Sequence, residues 1–310
     1  MAKSKNSKKK ELLERIKKGV EDIRNSENFK KWLKVQARFH KYSFGNTILI
    51  LLQKPDATKV AGFKAWQKMG RRIKKGEKGI AIFAPIIIKK QRDDIENDLE
   101  LELDELELFD DNELQLEEPE EPEREEEEVL VGFKVTHVWD ISQTTGRPLA
   151  EICLDIQGEV DEAYLDALVS IAESHDITVD FVSPDKWSFG SAKAVWQPGS
   201  RSISIKKSSS LQEFSSLVHE LAHALDTRKE PKREEKEIMA ESCSFIVCEH
   251  FGFDTSTFSF EYLACWSNQK DLGGFQKSLE LAQKVSSYLI GRLEKEIEKR
   301  KERGKEKKAA

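Results

Sequence analysis

A strongly acidic stretch in the middle of the chain limits what the sequence can fold into. Residues 92–128 contain 21 Asp and Glu but only 2 Lys and Arg. Charges of one sign at this density repel one another and cannot be buried together, so we expect this stretch to be disordered. Apolar runs flank it at residues 80–88 and 129–141. The sequence therefore predicts two paired strands that are joined by a long acidic insertion.

The charge of the chain is divided into three parts. Residues 1–91 carry 25 Lys and Arg against 7 Asp and Glu, although the whole chain has a net charge of −6. A basic N-terminal part, the acidic insertion and a near-neutral C-terminal part therefore follow one another. We expect the insertion to be either a solvated loop or a polyanion that competes with nucleic acid for the basic part.

Length and composition favour a soluble protein of two domains. The 310 residues suffice for two hydrophobic cores, and we predict an α+β protein with domains over 1–148 and 149–295 and a charged tail over 296–310. No run approaches the roughly 18 apolar residues of a membrane span, and the lysine-rich start is unlike a secretory signal. We therefore expect a cytoplasmic protein without membrane contact. The 4 cysteines lack CxxC spacing, so a metal would be bound by His and carboxylate side chains.

The sequence His219-Glu220-Leu221-Ala222-His223 is the clearest chemical signal in the chain. Apolar residues recur with helical spacing from 211 to 225, which predicts an amphipathic helix. The two histidines are four residues apart, so both rings lie on one face and can reach the same cation. Two neutral imidazoles and one carboxylate bind Zn²⁺ and leave a position open for water, from which Glu220 would take a proton. We therefore expect a catalytic zinc site.

The third zinc ligand is expected from the next predicted helix, over residues 234–249. Glu241 is the preferred residue because small residues flank it and an apolar helix follows. Glu237 lies nearer to a charged loop and is expected to support the ligands. Further candidates for ligand support are Asp226, His250 and Asp254. Two alternatives remain, an ordinary helix with two surface histidines and a metal site that has lost its activity.

Residues 202–206 alternate between polar and apolar side chains just before the histidine-containing helix. This pattern predicts a half-buried strand. We expect the strand to form the edge of its sheet, where an extended peptide substrate could pair with it.

The basic N-terminal part combines aromatic and cationic side chains. The aromatic residues are Phe39, Tyr42, Phe44, Phe63 and Trp66. The cations among and after them are Lys41, Lys64, Lys68, Arg71, Arg72, Lys74, Lys75 and Lys78. Rings that stack on bases and cations that neutralise phosphates together suit a groove for single-stranded DNA. The alternative is a soluble helical domain in which most of these rings form the core.

Four segments before and after the acidic stretch carry a further signal. They are Tyr42-Ser43-Phe44-Gly45-Asn46-Thr47, Gly62-Phe63-Lys64-Ala65-Trp66, Ile73-Lys74-Lys75-Gly76-Glu77-Lys78-Gly79 and Val138-Trp139-Asp140-Ile141-Ser142-Gln143-Thr144. Together they resemble the N-terminal domain of ArdC-type antirestriction proteins. The C-terminal half is similar to the zincin-like metallopeptidase domain, of the gluzincin type, that is found with it. That similarity rests on the two-histidine motif and on Ala240-Glu241.

The resemblance implies a protein of a mobile genetic element that binds single-stranded DNA and helps incoming DNA escape host restriction. It implies His219, His223 and Glu241 as Zn²⁺ ligands and Glu220 as the catalytic residue. The DNA contacts that it implies are Tyr42, Ser43, Asn46, Trp66, Lys74, Lys75 and Lys78. A protein substrate or a host restriction enzyme is a further expected partner. Two other functions remain open: a non-catalytic protein that shields DNA and has a structural zinc domain, and a regulatory peptidase that cleaves a repressor.

Overall fold

The structure is a computed structural model that describes residues 2–91, 126–146, 160–256 and 272–309. It divides into two compact units of mixed helix and strand. The first unit comprises Met1–Asp22 and Tyr42–Ala150, and the second comprises Ile23–Lys41 and Glu151–Ala310. An early segment of the chain therefore belongs to the second unit, which the sequence boundary at residue 148 does not anticipate.

Eight helices and eight strands are described in these ranges. The helices are α1 (Ala2–Asp22), α2 (Ser26–Arg38), α3 (Phe44–Gln53), α4 (Phe63–Lys68), α5 (Glu162–Glu173), α6 (Ser210–Ala224), α7 (Arg233–His250) and α8 (Gly273–Ala309). The strands are β1 (Val60–Ala61), β2 (Arg71–Ile73), β3 (Ile80–Gln91), β4 (Glu126–Asp140), β5 (Thr144–Gly146), β6 (Thr178–Val182), β7 (Ala194–Gln197) and β8 (Ser202–Lys206). Among the described helices, none is long and apolar enough to cross a bilayer.

The main sheet of the first unit is antiparallel, with the strand order β1-β4-β3. Strands β3 and β4 pair in register from Ile80 opposite Val138 to Gln91 opposite Glu126, with an irregularity after Ile86. This confirms the predicted strand pair on the two sides of the acidic insertion. Residues 92–125 lie outside the described residues, so their expected disorder stays a prediction.

The start of β4 corrects one boundary of the predicted insertion. Residues 126–128 were expected to be disordered, but they continue the strand and pair with 89–91. Lys89 lies in register with Glu128, and Lys90 lies in register with Glu127.

Two amide side chains of α3 cover the outer edge of β3. Asn46 donates to the carbonyl of Phe83 at 2.8 Å and accepts from its N–H at 2.9 Å. Gln53 forms the same pair of hydrogen bonds with Ala81, at 2.9 and 3.0 Å. Seven residues are about two helical turns, so both amides lie on one face of α3. They satisfy backbone groups that an uncovered edge strand would leave open.

A buried carboxylate holds the end of β4 in place. Asp140 accepts hydrogen bonds from the backbone N–H groups of Thr58, Lys59 and Ser142 at 2.8 to 3.0 Å. The backbone N–H of Asp140 donates in turn to the side chain of Gln143 at 2.9 Å. Burial opposes ionisation of Asp140, but these donors outweigh it and lower the pKa of its carboxyl group.

The second unit contains a sheet with the strand order β6-β8-β7, in which β6 is parallel and β7 antiparallel to β8. The expectation that residues 202–206 form a sheet edge is therefore wrong, because β8 is the central strand. The edge next to it is β7. Alternation of side chains reports which face of a strand is buried, but it does not report how many neighbours pair with the backbone.

Helices pack around one hydrophobic core in the second unit, and α2 supplies a large part of it. Phe29, Trp32 and Leu33 of α2 are fully buried. The ring of Phe29 lies 6.1 Å from the ring of Phe275 in α8. The carbonyl of His40, just after α2, accepts a hydrogen bond from Gln283 of α8. The segment Ile23–Lys41, which contains α2, is thus a structural component of the second unit.

Candidate metal centre and basic surface

Helix α6 carries both histidines of the motif on the side away from its apolar face. The hydroxyl of Ser209 caps the helix by accepting a hydrogen bond from the N–H of Gln212 at 3.4 Å. Its apolar face includes the fully buried residues Phe214, Leu217, Val218, Leu221 and Ala222. Because this face is anchored in the core, the rotation of the helix is fixed, and His219 and His223 stay accessible on the opposite side.

Glu237 of α7 completes a group of three ligand atoms. The Nε2 atoms of His219 and His223 are 3.0 Å apart, and Oε2 of Glu237 lies 3.5 Å from the first and 3.7 Å from the second. A circle through these three atoms has a radius of about 2.0 Å, which matches the bond lengths from Zn²⁺ to imidazole and carboxylate. Within the described residues, this is the group of His, Cys, Asp and Glu side chains that converges closely enough for a metal ion. The donor set therefore fits a divalent ion of this size.

The histidines keep the carboxylate of Glu237 in its charged form. Partial burial opposes ionisation, but the neighbouring imidazoles of His219 and His223 outweigh it, so the pKa of Glu237 lies well below its usual range. The three side chains are 16 to 24% exposed, which leaves the centre open to water and to a small ligand. A charged carboxylate beside two imidazoles is the arrangement that a divalent cation requires.

The structure brings Glu237, and not the expected Glu241, to the histidine pair. The two glutamates are four residues apart on α7, so they share a face and are separated by about 6 Å along the helix axis. Glu241 is half-buried one turn further along. The sequence predicts which face of α7 meets α6. The offset between two helices along their axes depends on how their side chains interlock, and one turn of offset exchanges one glutamate for the other.

Glu220 lies beside the histidines and contacts the sheet. Its Oε2 accepts a hydrogen bond from the backbone N–H of Trp196 at 2.8 Å. Trp196 belongs to β7, the strand at the edge of the sheet. The candidate base is therefore held between the motif helix and the sheet edge where an extended chain could pair.

The other candidates for ligand support have different partners. Asp226 forms a two-point ion pair with Arg228 at 2.8 and 2.9 Å, and Arg228 also donates to Ser278 of α8. His250 lies 3.1 Å from both the carbonyl of Ala37 and the carboxylate of Glu294. The carboxylate of Asp254 accepts from the backbone N–H of Ser256 at 2.8 Å. These contacts connect helices and turns, and none of them involves the ligand triad.

Two of the expected DNA contacts lie in the core of the first unit. Asn46 is 8% exposed and uses its amide to bind the backbone of β3. Trp66 is fully buried, and its indole N–H donates to the carbonyl of Trp139 at 2.8 Å. The sequence motifs around them did not reveal this burial, since polar and aromatic side chains serve both surfaces and cores. Neither side chain is available to a nucleic acid.

The remaining expected contacts lie at or near the surface. Lys75 and Lys78 are exposed, in a turn where Gly76 has a φ of 89°, a backbone conformation that favours glycine. Lys74 is exposed and donates to the carbonyl of Ser142 at 2.7 Å. Two further residues are half-buried: Tyr42, whose hydroxyl donates to the carbonyl of Val60 at 3.3 Å, and Ser43, the residue before α3. Burial raises the pKa of Tyr42.

Comparison with known proteins assigns the N-terminal part of the chain. The family model described as the N-terminal domain of anti-restriction factor ArdC matches residues 5–139. Residues 5–139 are therefore similar to the N-terminal domain of ArdC. The matched range includes α2, so one helix of the ArdC-like sequence domain belongs to the second structural unit.

One relative and two solved structures extend the comparison beyond the matched domain. An uncharacterized protein of Bacillus anthracis is 28% identical over 309 residues, covering 93% of this chain and 51% of the relative, so the chain spans about half the length of the curated relative that it matches. The Mn(II)-bound crystal structure of antirestriction protein ArdC from plasmid R388 has a TM-score of 0.52 at 15% identity, over 90% of this chain and 97% of that chain. The metal-free structure of the same protein has a TM-score of 0.47 at 16% identity, over 81% and 85%. The Mn(II)-bound structure supports a shared fold.

Proposed function

We propose that this chain is an antirestriction protein of a mobile genetic element that binds single-stranded DNA and has a zincin-like, zinc-dependent peptidase centre. The observation that carries the peptidase part is the convergence of His219, His223 and Glu237 at 3.0 to 3.7 Å. Glu220 lies within the same helical motif. Two imidazoles, one carboxylate and a neighbouring glutamate form the set of groups that metal-assisted peptide hydrolysis uses.

Three parts of the chain would have different roles in hydrolysis. A divalent ion in the triad would polarise a peptide carbonyl and ease the deprotonation of water. Glu220 would take the proton from the attacking water and pass it to the leaving amine. Among the described strands, β7 pairs on one side only and lies next to Glu220, so an extended peptide could align there as an additional strand.

The DNA-binding part of the proposal rests on the ArdC N-terminal domain and on its charge. Residues 42–91 carry 11 Lys and Arg against 2 Asp and Glu. Lys75 and Lys78 are exposed in one turn, and Lys74 lies next to them. Lysines that face solvent together neutralise phosphates, and their contribution to binding falls steeply with salt. The named solved relative is an antirestriction protein of a plasmid, which supports the same role for this chain.

Two measurements test this function. Zinc content and affinity, measured on the full chain, should fall to background in the double variant His219→Ala, His223→Ala. A cell-based assay should then compare protection of incoming DNA from restriction in the wild type and in Glu220→Gln, which preserves the size of the side chain but removes the base. Loss of protection in Glu220→Gln supports proteolysis as the working activity.

A second candidate function is a non-catalytic protein that shields DNA and uses its metal centre only for stability. The hydrogen bond from Trp196 to Glu220 favours it, because it gives Glu220 a structural contact with the sheet edge that does not depend on catalysis. In that case Glu220→Gln would protect DNA as well as the wild type. The double histidine variant would lose stability as well as metal.

A further inference from the structure

An exposed aromatic ring in the first unit has no role in the core. Phe63, the first residue of α4, is 52% exposed. Trp66 in the same helix and Phe44 and Phe83 in neighbouring elements are buried, and the other Phe, Tyr and Trp rings described in this unit are at least half-buried. A large exposed ring offers a flat apolar face to a ligand, and the groups around it decide which ligand suits it.

The ring stands on a rigid support. Trp66 anchors α4 by complete burial and by its hydrogen bond to Trp139. The strand that follows the helix, β2, is fixed by the buried Arg71, whose guanidinium donates to the hydroxyl and the carbonyl of Thr144. A ring on a fixed backbone has only its two side-chain torsions to restrict when a ligand stacks on it.

All charged residues near Phe63 in the sequence are cationic. The segment from Gly62 to Gly76 contains six Lys and Arg and no Asp or Glu. Of these, Lys64 and Lys68 are exposed on α4 itself, and Arg72 is exposed on β2, which packs against α4. A protein interface usually surrounds an aromatic anchor with mixed polar groups and few lysines, whereas a ring among cations suits a base that is flanked by phosphates.

We propose that Phe63 is a base-stacking residue for single-stranded nucleic acid, with Lys64, Lys68 and Arg72 neutralising the adjacent phosphates. This inference rests on the proposed DNA-binding function and goes beyond it by replacing the buried Trp66 with Phe63 as the aromatic contact. Base stacking on a ring does not depend on the identity of the base, so the site tolerates any sequence. Stacking of bases on Phe63 and neutralisation of phosphates by the cations both contribute to the affinity for single-stranded nucleic acid.

The test measures binding of the full chain to a fluorescein-labelled oligothymidylate by fluorescence anisotropy. Phe63→Ala should weaken affinity about 5- to 100-fold, because stacking of one base accounts for a change of that size. Phe63→Trp keeps a ring at this position and should bind with the affinity of the wild type. The salt dependence of binding should keep its slope in Phe63→Ala, since no phosphate contact is removed, and should become shallower in Lys64→Ala.

Two controls separate base stacking from nonspecific apolar binding and from purely electrostatic binding. Leu52→Ala removes an apolar side chain of the same unit that is 43% exposed, and it should leave affinity unchanged. An oligonucleotide of the same length with abasic sites should bind the wild type and Phe63→Ala equally. If the wild type binds oligothymidylate but Phe63→Ala binds it within twofold, the inference is overturned and the ring is left to a protein partner. If the wild type does not bind the oligonucleotide at any salt concentration, the proposed DNA-binding function falls together with it.

Discussion

At the level of single residues, the identity of the third ligand can be decided by a matched pair of variants. Glu237→Gln removes the carboxylate that lies 3.5 and 3.7 Å from the histidine nitrogens. We expect it to weaken Zn²⁺ binding by well over about 100-fold, and Glu241→Gln by at most about 10- to 100-fold, the range for a group that only supports the ligands. Competition with a chromophoric chelator measures both. The reverse order would restore Glu241 as the ligand.

Asn46 provides a residue-scale prediction that separates a structural role from a DNA-binding role. Asn46→Ala leaves the N–H and the carbonyl of Phe83 unpaired at a buried edge, so we expect a loss of about 1–3 kcal/mol in the free energy of unfolding. Urea unfolding measures this loss. Lys75→Ala is the matched surface variant and should reduce DNA affinity without changing stability. Unchanged stability in Asn46→Ala would contradict the assignment.

The buried His40 predicts how stability depends on pH. Burial, and then the charge of His250, lower the pKa of His40 to about 4, and its ring lies 4.6 Å from that of His250. In the unfolded chain His40 has its ordinary pKa of about 6.5, so it binds a proton below that pH, whereas the folded chain leaves it neutral. The free energy of unfolding therefore falls as the pH drops from about 6.5 to 4. The slope from this residue is at most about 1.4 kcal/mol per pH unit.

The variant His40→Phe should remove this part of the pH dependence, because phenylalanine keeps an aromatic ring but cannot bind a proton. Chemical unfolding at several pH values between 4 and 7 gives the comparison. His137→Gln, which changes an exposed histidine, serves as the control and should keep the wild-type slope. An identical slope in His40→Phe and the wild type would count against a neutral buried His40.

Residue patterns predicted part of the candidate site and missed the rest for a physical reason. The spacing of His219 and His223 required one helical face, and the structure has both rings on it. The third ligand and the buried positions of Asn46 and Trp66 depend on contacts between elements that are distant in sequence. Glu237 could have been considered equally with Glu241, since residues four apart share a helical face.

At the level of elements, the contribution of α2 to the second unit predicts which helices a mutation in α2 will destabilise. Trp32→Ala should destabilise the core by about 3–5 kcal/mol, since it replaces a fully buried ring with a cavity. Hydrogen exchange measured by mass spectrometry should accelerate in α7 and α8. Trp66→Ala, the matched change in the first unit, should accelerate exchange in α4 and β4 instead. Faster exchange of β3 and β4 in Trp32→Ala would contradict the division into units.

Elements were predicted well where their signal is local and poorly where it depends on neighbours. The amphipathic pattern of α6 and the apolar runs of β3 and β4 identified these elements directly. The position of β8 at the centre of its sheet and the membership of α2 were missed. Both depend on which surfaces meet in the folded chain. The periodicity of side chains shows which face of an element is buried, but it does not specify the element that covers this face.

At the level of the whole molecule, the acidic insertion can be tested through its charge. Replacing residues 93–125 with a short Gly-Ser linker should raise affinity for oligothymidylate at low salt if the insertion competes with DNA for the basic part. The gain should disappear at about 0.5 M salt, where screening is nearly complete beyond a few ångströms. Equal affinities at low salt would instead support a solvated loop.

The membership of α2 also limits how this molecule can be rearranged. The ArdC domain spans residues 5–139, yet the helix within it completes the core of the other unit. A recombination event with a single crossover near residue 148 would therefore join the C-terminal half to a foreign helix. Exchange of either half between mobile elements succeeds only if the incoming N-terminal half brings a helix whose apolar face fits α7 and α8. Coevolution across the domain boundary should accordingly be concentrated on that helix.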